Sequence, residues 1–349
     1  MMAKCPNCGF SVSENDERCP KCGVFLKAPL PPPPPLPSMQ QQVPPSMPAP
    51  PARPNLLESL IEAFVSLFRK NPPVNYPSGV VYEKLEVPHS SVNRYLIVGV
   101  VLAFAGLVVV WALSSAAVLQ ESGILGVFGV TLAGSIAPSV FVFWMYSNDR
   151  FEHEPIALIA YTFGWGAAST IIALVLNTAL QALPSYIIAP LVEEPAKIIG
   201  VYWLATRSRL GKEFNNHLDG LIYGTAAGSG FAAVENFLYI ARFSPYVGFL
   251  TMVLVRSVTP IMHAFCTGFV GRWLGLSKVR QGRIIWLDLV PGLAVAMLIH
   301  GLWNFLPNII AEFGLLLSLP IAFWMYKFAK EGSRDEMLWG YATGLAPKE

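Results

Sequence analysis

Nine polar side chains in this 349-residue chain stand where polar side chains are scarce. Glu193, Glu194, Lys197, Glu235, Asn236, Arg256, His263, His300 and Asn304 all fall inside long apolar stretches. An ionisable group inside a membrane span costs roughly 2.5–3.5 kcal/mol on insertion, so each needs a compensating role. A carboxylate can take a proton from water, imidazoles can hold that water or a metal, and a carboxamide can steady an oxyanion. Spacing favours convergence: Glu193 with Lys197, and His300 with Asn304, are i,i+4 pairs that share a helix face. Three glutamates against Lys197 and Arg256 leave one excess negative charge. Adjacent carboxylates in a low dielectric resist joint ionisation, so Glu193 and Glu194 are expected to share a proton. Two plainer readings stay open: Glu235 and Arg256 as a structural ion pair, and His263 as a satisfied core histidine.

The elements that must position these groups are membrane helices. The sequence is 54% hydrophobic and only 13% charged, a composition that excludes an ordinary soluble domain. The expected fold is all-α, a polytopic transmembrane helical bundle of about eight spans with a small N-terminal zinc ribbon. The spans are predicted at residues 95–118, 123–146, 156–183, 185–206, 218–241, 249–275, 286–306 and 309–329. The polar groups are thereby confined to spans four to seven, and most fall in the outer half of the bilayer. Pro190 and Pro195 interrupt span four, which is tolerated where neighbours re-satisfy the freed carbonyls. Gly220, Gly224 and Gly228 form a small-residue stripe that lets span five approach a neighbour. His217 and Asp219 read as interface and capping residues at its start. Arg150, Arg207, Arg209, Lys212, Lys278, Arg280, Arg283, Lys330 and Arg334 fall in loops on one side, and Arg242 on the other. The positive-inside rule then places both termini in the cytoplasm of a multi-pass cell-membrane protein.

Ahead of the spans lie two repeated knuckles, Cys5-Pro6-Asn7-Cys8-Gly9 and Cys19-Pro20-Lys21-Cys22-Gly23. Cys5, Cys8, Cys19 and Cys22 can supply a tetrahedron of thiolates, which suits a structural zinc ion. Cys266, within an apolar helix, reads as a small packed residue. Between Pro29 and Pro54, 13 of 26 residues are proline, which predicts an extended spacer. Leu56, Leu57, Leu60, Ile61, Phe64, Leu67 and Phe68 recur at helical spacing, as in an amphipathic helix lying on the membrane or packing on the bundle. The expected organisation is a zinc ribbon (1–27), a proline-rich linker (28–54), a juxtamembrane segment (55–92), a transmembrane domain (93–330) and a cytoplasmic tail (331–349).

Several protease motifs are absent. His153-Glu154 is not followed by the second histidine of a zinc His-Glu-x-x-His helix, and neither a Gly-x-Gly-Asp nor a Gly-x-Ser-Gly motif occurs. The ordered set that is present resembles the PrsW family of intramembrane proteases. Glu193-Glu194-Pro195-Ala196-Lys197, Gly230-Phe231-Ala232-Ala233-Val234-Glu235-Asn236, His263 with Gly268, and His300-Gly301-Leu302-Trp303-Asn304 carry the resemblance. Asp149-x-x-Glu152 with Glu154-Pro155 resembles the family's upstream motif, although acids at a membrane interface also serve as ordinary caps. The family belongs with the CAAX-processing and bacteriocin-immunity proteases, from which this chain departs in carrying Lys197 and Glu235 at their arginine and phenylalanine positions. The resemblance implies an endopeptidase acting on membrane protein substrates within the lipid bilayer. By this resemblance Glu193, or else Glu194, would be the general base, Lys197 at i+4 would hold the Glu193 carboxylate ionised, His263 and His300 would bind water or a metal, and Asn304 would steady the oxyanion. A catalytic divalent metal held by Glu194, Glu235, His263 and His300 is an alternative within this reading. The rival functions are a non-catalytic membrane scaffold or immunity protein, whose ribbon recruits a protein partner, and an ion-coupled transporter. No nucleic-acid partner is expected, because the ribbon's few basic residues are offset by acids.

Overall fold

The computed structural model describes residues 2–5, 7–13, 18–23, 53–74, 89–150, 153–309 and 313–342. The proline-rich tract, Glu152 and the last seven residues fall outside them. Two compact units are present, residues 1–48 and residues 49–349.

In the first unit, β1 (Met2–Lys4) pairs antiparallel with β2 (Ser11–Ser13). The knuckle turns close by Gly9 N–H donating to Cys5 O and Gly23 N–H donating to Cys19 O. Both glycines take positive φ, 69° and 72°, which other residues adopt only under strain. The four thiols are brought together, with Sγ–Sγ distances of 3.7 Å for Cys5–Cys22 and 3.6 Å for Cys8–Cys19. Those separations are far too long for disulfides and match the roughly 3.8 Å edge of a tetrahedron with 2.3 Å metal–sulfur bonds.

The second unit is helical: α1 (Leu56–Phe68), α2 (His89–Tyr146), α3 (Ile156–Ala179), α4 (Ser185–Thr206), α5 (His217–Val247), α6 (Phe249–Arg256), α7 (Thr259–Gln281), α8 (Leu289–Phe305) and α9 (Phe313–Ala342). It is an all-α polytopic membrane protein. Among the described residues, Leu125–Tyr146, Ile156–Ala179, Phe249–Gln281 and Trp286–Asn308 are long and apolar enough to cross a bilayer. Apolar side chains cover the outside, with Leu125, Phe143 and Leu250 at 83%, 73% and 70% exposure, while charged groups such as Lys197 and Glu194 lie fully inside. That inversion suits a lipid solvent.

The 58 residues of α2 would extend about 87 Å if straight. Yet the Tyr95 ring lies 5.8 Å from Tyr161, and the Tyr146 ring lies 5.5 Å from His153. Both ends thus reach the beginning of α3, and the chain doubles back within α2 along the path two separate spans would take. Span six departs from expectation: the chain breaks into α6 and α7 at Ser257–Val258, because Pro260 supplies no N–H and suits the first turn of a new helix. Pro190 and Pro195, in contrast, are both carried inside an unbroken α4.

Helix α5 is the hub. Asn216 caps it through Leu218 and Asp219 N–H groups, and Asp219 returns the bond to Asn216 N–H. The expected glycine stripe faces α7: a Cβ at Gly220, Gly224 or Gly228 would strike the carbonyl of Gly271, Thr267 or His263 respectively. This close approach places the α7 histidine beside the α5 glutamate.

Helix α1 packs on the bundle and also keeps an apolar face outward. Ala63, Ser66 and Leu67 are buried, whereas Leu57 and Phe68 are each 67% exposed. Arg280 grips Glu62 with two hydrogen bonds of 3.1 and 2.8 Å, and Arg53 reaches Asp288 at 2.6 Å. Residues 331–342, expected as a tail, instead continue α9. Glu331 accepts from Asn71, Asp335 accepts from Val74 N–H, and the Trp339 indole donates to Val74 O. These groups recur every fourth residue on one face, so a polar sequence reads as tail while folding as a clamp.

Gly228→Val should destabilise the protein by about 3 kcal/mol, because the obstacle is backbone that cannot move aside. Gly129→Ala, where no atom lies within 4 Å of the new Cβ, should hold or raise the melting temperature. Thermal unfolding of both variants in one detergent makes the comparison.

Candidate active site

Helix α4 carries Glu193, Glu194 and Lys197 into the interior, where they are 5%, 0% and 0% exposed. Consecutive residues of a helix point about 100° apart, so the two glutamates find different partners. Glu194 faces α7 and α8. Its Oε1 accepts from Lys197 Nζ at 2.6 Å and from His300 Nδ1 at 2.7 Å, and its Oε2 accepts from Thr267 Oγ1 at 3.2 Å. Glu193 faces α3, where Asn177 Nδ2 donates to its Oε1 at 3.1 Å. One sequence expectation is corrected here. Lys197 pairs with Glu194 at i+3 and not with Glu193 at i+4.

The hydrogen-bond chemistry assigns the imidazole tautomers. An ammonium only donates, so Lys197 Nζ, 3.0 Å from His263 Nδ1, requires a lone pair there. His263 therefore carries its proton on Nε2 and donates it to Glu235 Oε2 at 3.1 Å. His300 donates Nδ1–H to Glu194, and its Nε2 lies 3.8 Å from Glu193 Oε2. The two rings meet edge to face at 5.2 Å. Lys197 also sits 4.6 Å from the Phe231 ring centroid, and Phe231 packs against His263.

Glu235 and Arg256 do form an ion pair, and Glu235 serves His263 at the same time. Arg256 Nε further donates to Asn236 Oδ1 at 2.9 Å, while Asn236 Nδ2 donates to Gly134 O and Arg256 O. Asn236 thus ties α2, α5 and α6 together. Asn304 is half-buried on α8, outside the contacts that unite the other residues. Asp149 and Glu154 act at the other end of α3: Asp149 Oδ2 accepts Glu154 N–H at 2.8 Å, and Glu154 accepts the Tyr223 hydroxyl. These contacts tether the chain entering α3 to α5, and α3 itself has no side-chain cap. His217 likewise meets Asp335 at 3.0 Å, away from the cluster.

Glu193, His263 and His300 can each turn one ligand atom toward a common point, those atoms lying within 4.8 Å of one another. Glu193 Oε2 is buried without a hydrogen-bond partner in the structure. A carboxylate and two imidazoles are a donor set suited to a divalent ion, and the orphaned oxygen supports the fit. The set differs from the one expected: Glu193 takes part in place of Glu194 and Glu235, which orient the two histidines from behind. For His263 to ligate, its Nδ1 must exchange Lys197 for the ion.

A family model described as PrsW family intramembrane metalloprotease matches residues 154–329. The chain belongs to the PrsW family of intramembrane metalloproteases. Protease PrsW of Bacillus subtilis (strain 168) is 26% identical over 217 residues, which cover 58% of this chain and 92% of that relative. Protease PrsW of Oceanobacillus iheyensis is 27% identical over 197 residues, covering 54% and 87%. Protease PrsW of Clostridioides difficile (strain 630) is 24% identical over 203 residues, covering 53% and 82%. No solved structure matches the chain. The PrsW match spans α3 to α8 and most of α9, so every residue of the cluster lies within it. The protein is an intramembrane protease, and its setting is the lipid bilayer.

Asn177 and Thr267 were not singled out from the sequence. Thr267 follows His263 by one turn, and Asn177 interrupts the apolar run Leu174-Val175-Leu176; both signals are legible once the partner helix is known. Removing one member of a buried pair is costlier than removing both. Glu194→Leu should lose about 3–5 kcal/mol by stranding Lys197, and Glu194→Leu with Lys197→Met should regain most of it. Denaturant unfolding in detergent, single against double variant, measures the difference.

Proposed function

We propose that this PrsW-family protease cleaves a peptide bond of a membrane protein with water activated by Glu193. The observation that carries the reading is the orphaned Glu193 Oε2, buried 3.8 Å from His300 Nε2. Water held between these groups loses a proton to Glu193 as its oxygen attacks the scissile carbonyl carbon. The proton then passes to the leaving nitrogen as the C–N bond breaks, giving a carboxylate and an amine. Glu194 keeps His300 in the tautomer that presents Nε2, and Glu235 does the same for His263. Asn304, one turn beyond His300, donates its carboxamide N–H to the oxyanion. Glu193, His263 and His300 would hold a divalent metal, which when bound acidifies water and polarises a carbonyl.

The remaining features fit around this centre. Cys5, Cys8, Cys19 and Cys22 hold a structural zinc ion, and the ribbon so formed recruits a protein partner. Both termini face the cytoplasm, where the loop arginines and lysines gather and where thiols stay reduced.

Glu193→Gln should lower cleavage of a reconstituted transmembrane reporter by at least about a thousandfold while leaving the protein folded. Cleavage at the wild-type rate would refute Glu193 as the base. Metal analysis separates the sites: replacing all four ribbon cysteines by serine should reduce bound metal from about two ions per chain to about one. The serine variant should keep its reporter cleavage, and a strong chelator should abolish it.

A further inference from the structure

Asn177 lies two residues before the end of α3, facing the catalytic carboxylate across the α3–α4 turn. Its orientation is fixed by chemistry: Glu193 Oε1 is an acceptor, so the nitrogen of the carboxamide must face it, as it does at 3.1 Å. The other end of the same carboxamide is left over. Asn177 Oδ1 is buried and accepts no hydrogen bond among the described residues. A buried acceptor without a donor is costly and calls for an explanation. Glu193 Oε2, on the other side of the same hydrogen-bonded unit, is the second orphan. One hydrogen-bonded pair of side chains thus holds two unsatisfied oxygens, one carboxylate and one carbonyl, each able to accept from a donor.

Water satisfies the first. The second suits a peptide. To be cut, a membrane-spanning substrate must unwind locally, which frees backbone N–H groups that hydrocarbon cannot satisfy. We propose that Asn177 is a substrate-binding and positioning residue of this protease. Its Nδ2 fixes the rotamer of Glu193, and its Oδ1 accepts one backbone N–H of the unwound substrate next to the scissile bond. A single side chain thereby sets the distance between the base and the peptide it serves. The inference rests on the reading of Glu193 as the base and adds a substrate contact to it.

The test uses the full chain in proteoliposomes with a transmembrane peptide reporter that the wild type cuts. Asn177→Ala removes donor and acceptor together and should raise KM and lower kcat, each about tenfold. Asn177→Asp keeps an acceptor oxygen and loses the donor, so KM should return toward wild type while kcat stays low. A second arm alters the substrate instead of the protein. Reporters N-methylated at each peptide bond flanking the cut should include one that raises KM about tenfold for the wild type and has no further effect on Asn177→Ala. A role confined to packing would change the melting temperature without this split or this coupling. Wild-type kinetics for both variants, or N-methyl effects identical in wild type and Asn177→Ala, would overturn the proposal. Glu193→Gln run alongside keeps the two ideas separate. If that variant is dead while the Asn177 variants behave as wild type, only the role of Asn177 falls. Were Glu193→Gln still active, the assignment of the base would fall first.

Discussion

A lysine with no solvent exposure organises this protein. Lys197 must be charged-paired where it lies, because an isolated ammonium in a low-dielectric interior is prohibitively costly. The structure meets that demand with Glu194 at 2.6 Å, His263 at 3.0 Å and the face of Phe231. Each of those partners belongs to a different constraint. Glu194 in turn takes His300 and Thr267, and His263 takes Glu235, which takes Arg256. Helices α4, α5, α6, α7 and α8 are therefore held in register by one continuous run of alternating charge and hydrogen bonds. Such a network is specific because none of its members can be satisfied by lipid.

The same network decides which acid is left over. Lys197 neutralises Glu194, and Arg256 neutralises Glu235. Among the described residues no lysine or arginine contacts Glu193. Of the three glutamates in the cluster, Glu193 is thus the one without a basic partner, and its Oε2 accepts no hydrogen bond among the described residues. A site with that character suits a group that must act on an incoming water, proton or cation.

Much of this was legible in the residues. The cluster of acids and histidines in consecutive apolar stretches, their order, the glycine stripe and the cysteine knuckles all follow from spacing and type. What the sequence could not supply was partnership. Helical periodicity makes Glu193 and Lys197 look like a pair, yet the i+3 partner wins because Glu194 also reaches two other helices. Asn177 and Thr267 escaped notice because their role depends on a neighbouring helix and not on their own surroundings. The stretch after Lys330 read as a tail because its polar residues face a protein surface that only the fold creates. The break between α6 and α7 was signalled by Pro260, but apolar composition on both sides masked it.

The segment before the membrane domain is fastened to the last helix of that domain. Residues 53–74 meet Arg280, Asp288, Lys327, Glu331, Asp335 and Trp339, partners made more than two hundred residues later. During synthesis, which proceeds from the amino terminus, this strap has nothing to hold until Arg280 and Asp288 are made, and its clamp stays open until α9 has left the ribosome. The earliest part of the bundle to be translated is consequently among the last to be locked. The order of manufacture and the order of closure run in opposite directions, and a chain stopped short of α9 would carry its catalytic helices but leave Asn71 and Val74 without the partners that close the clamp.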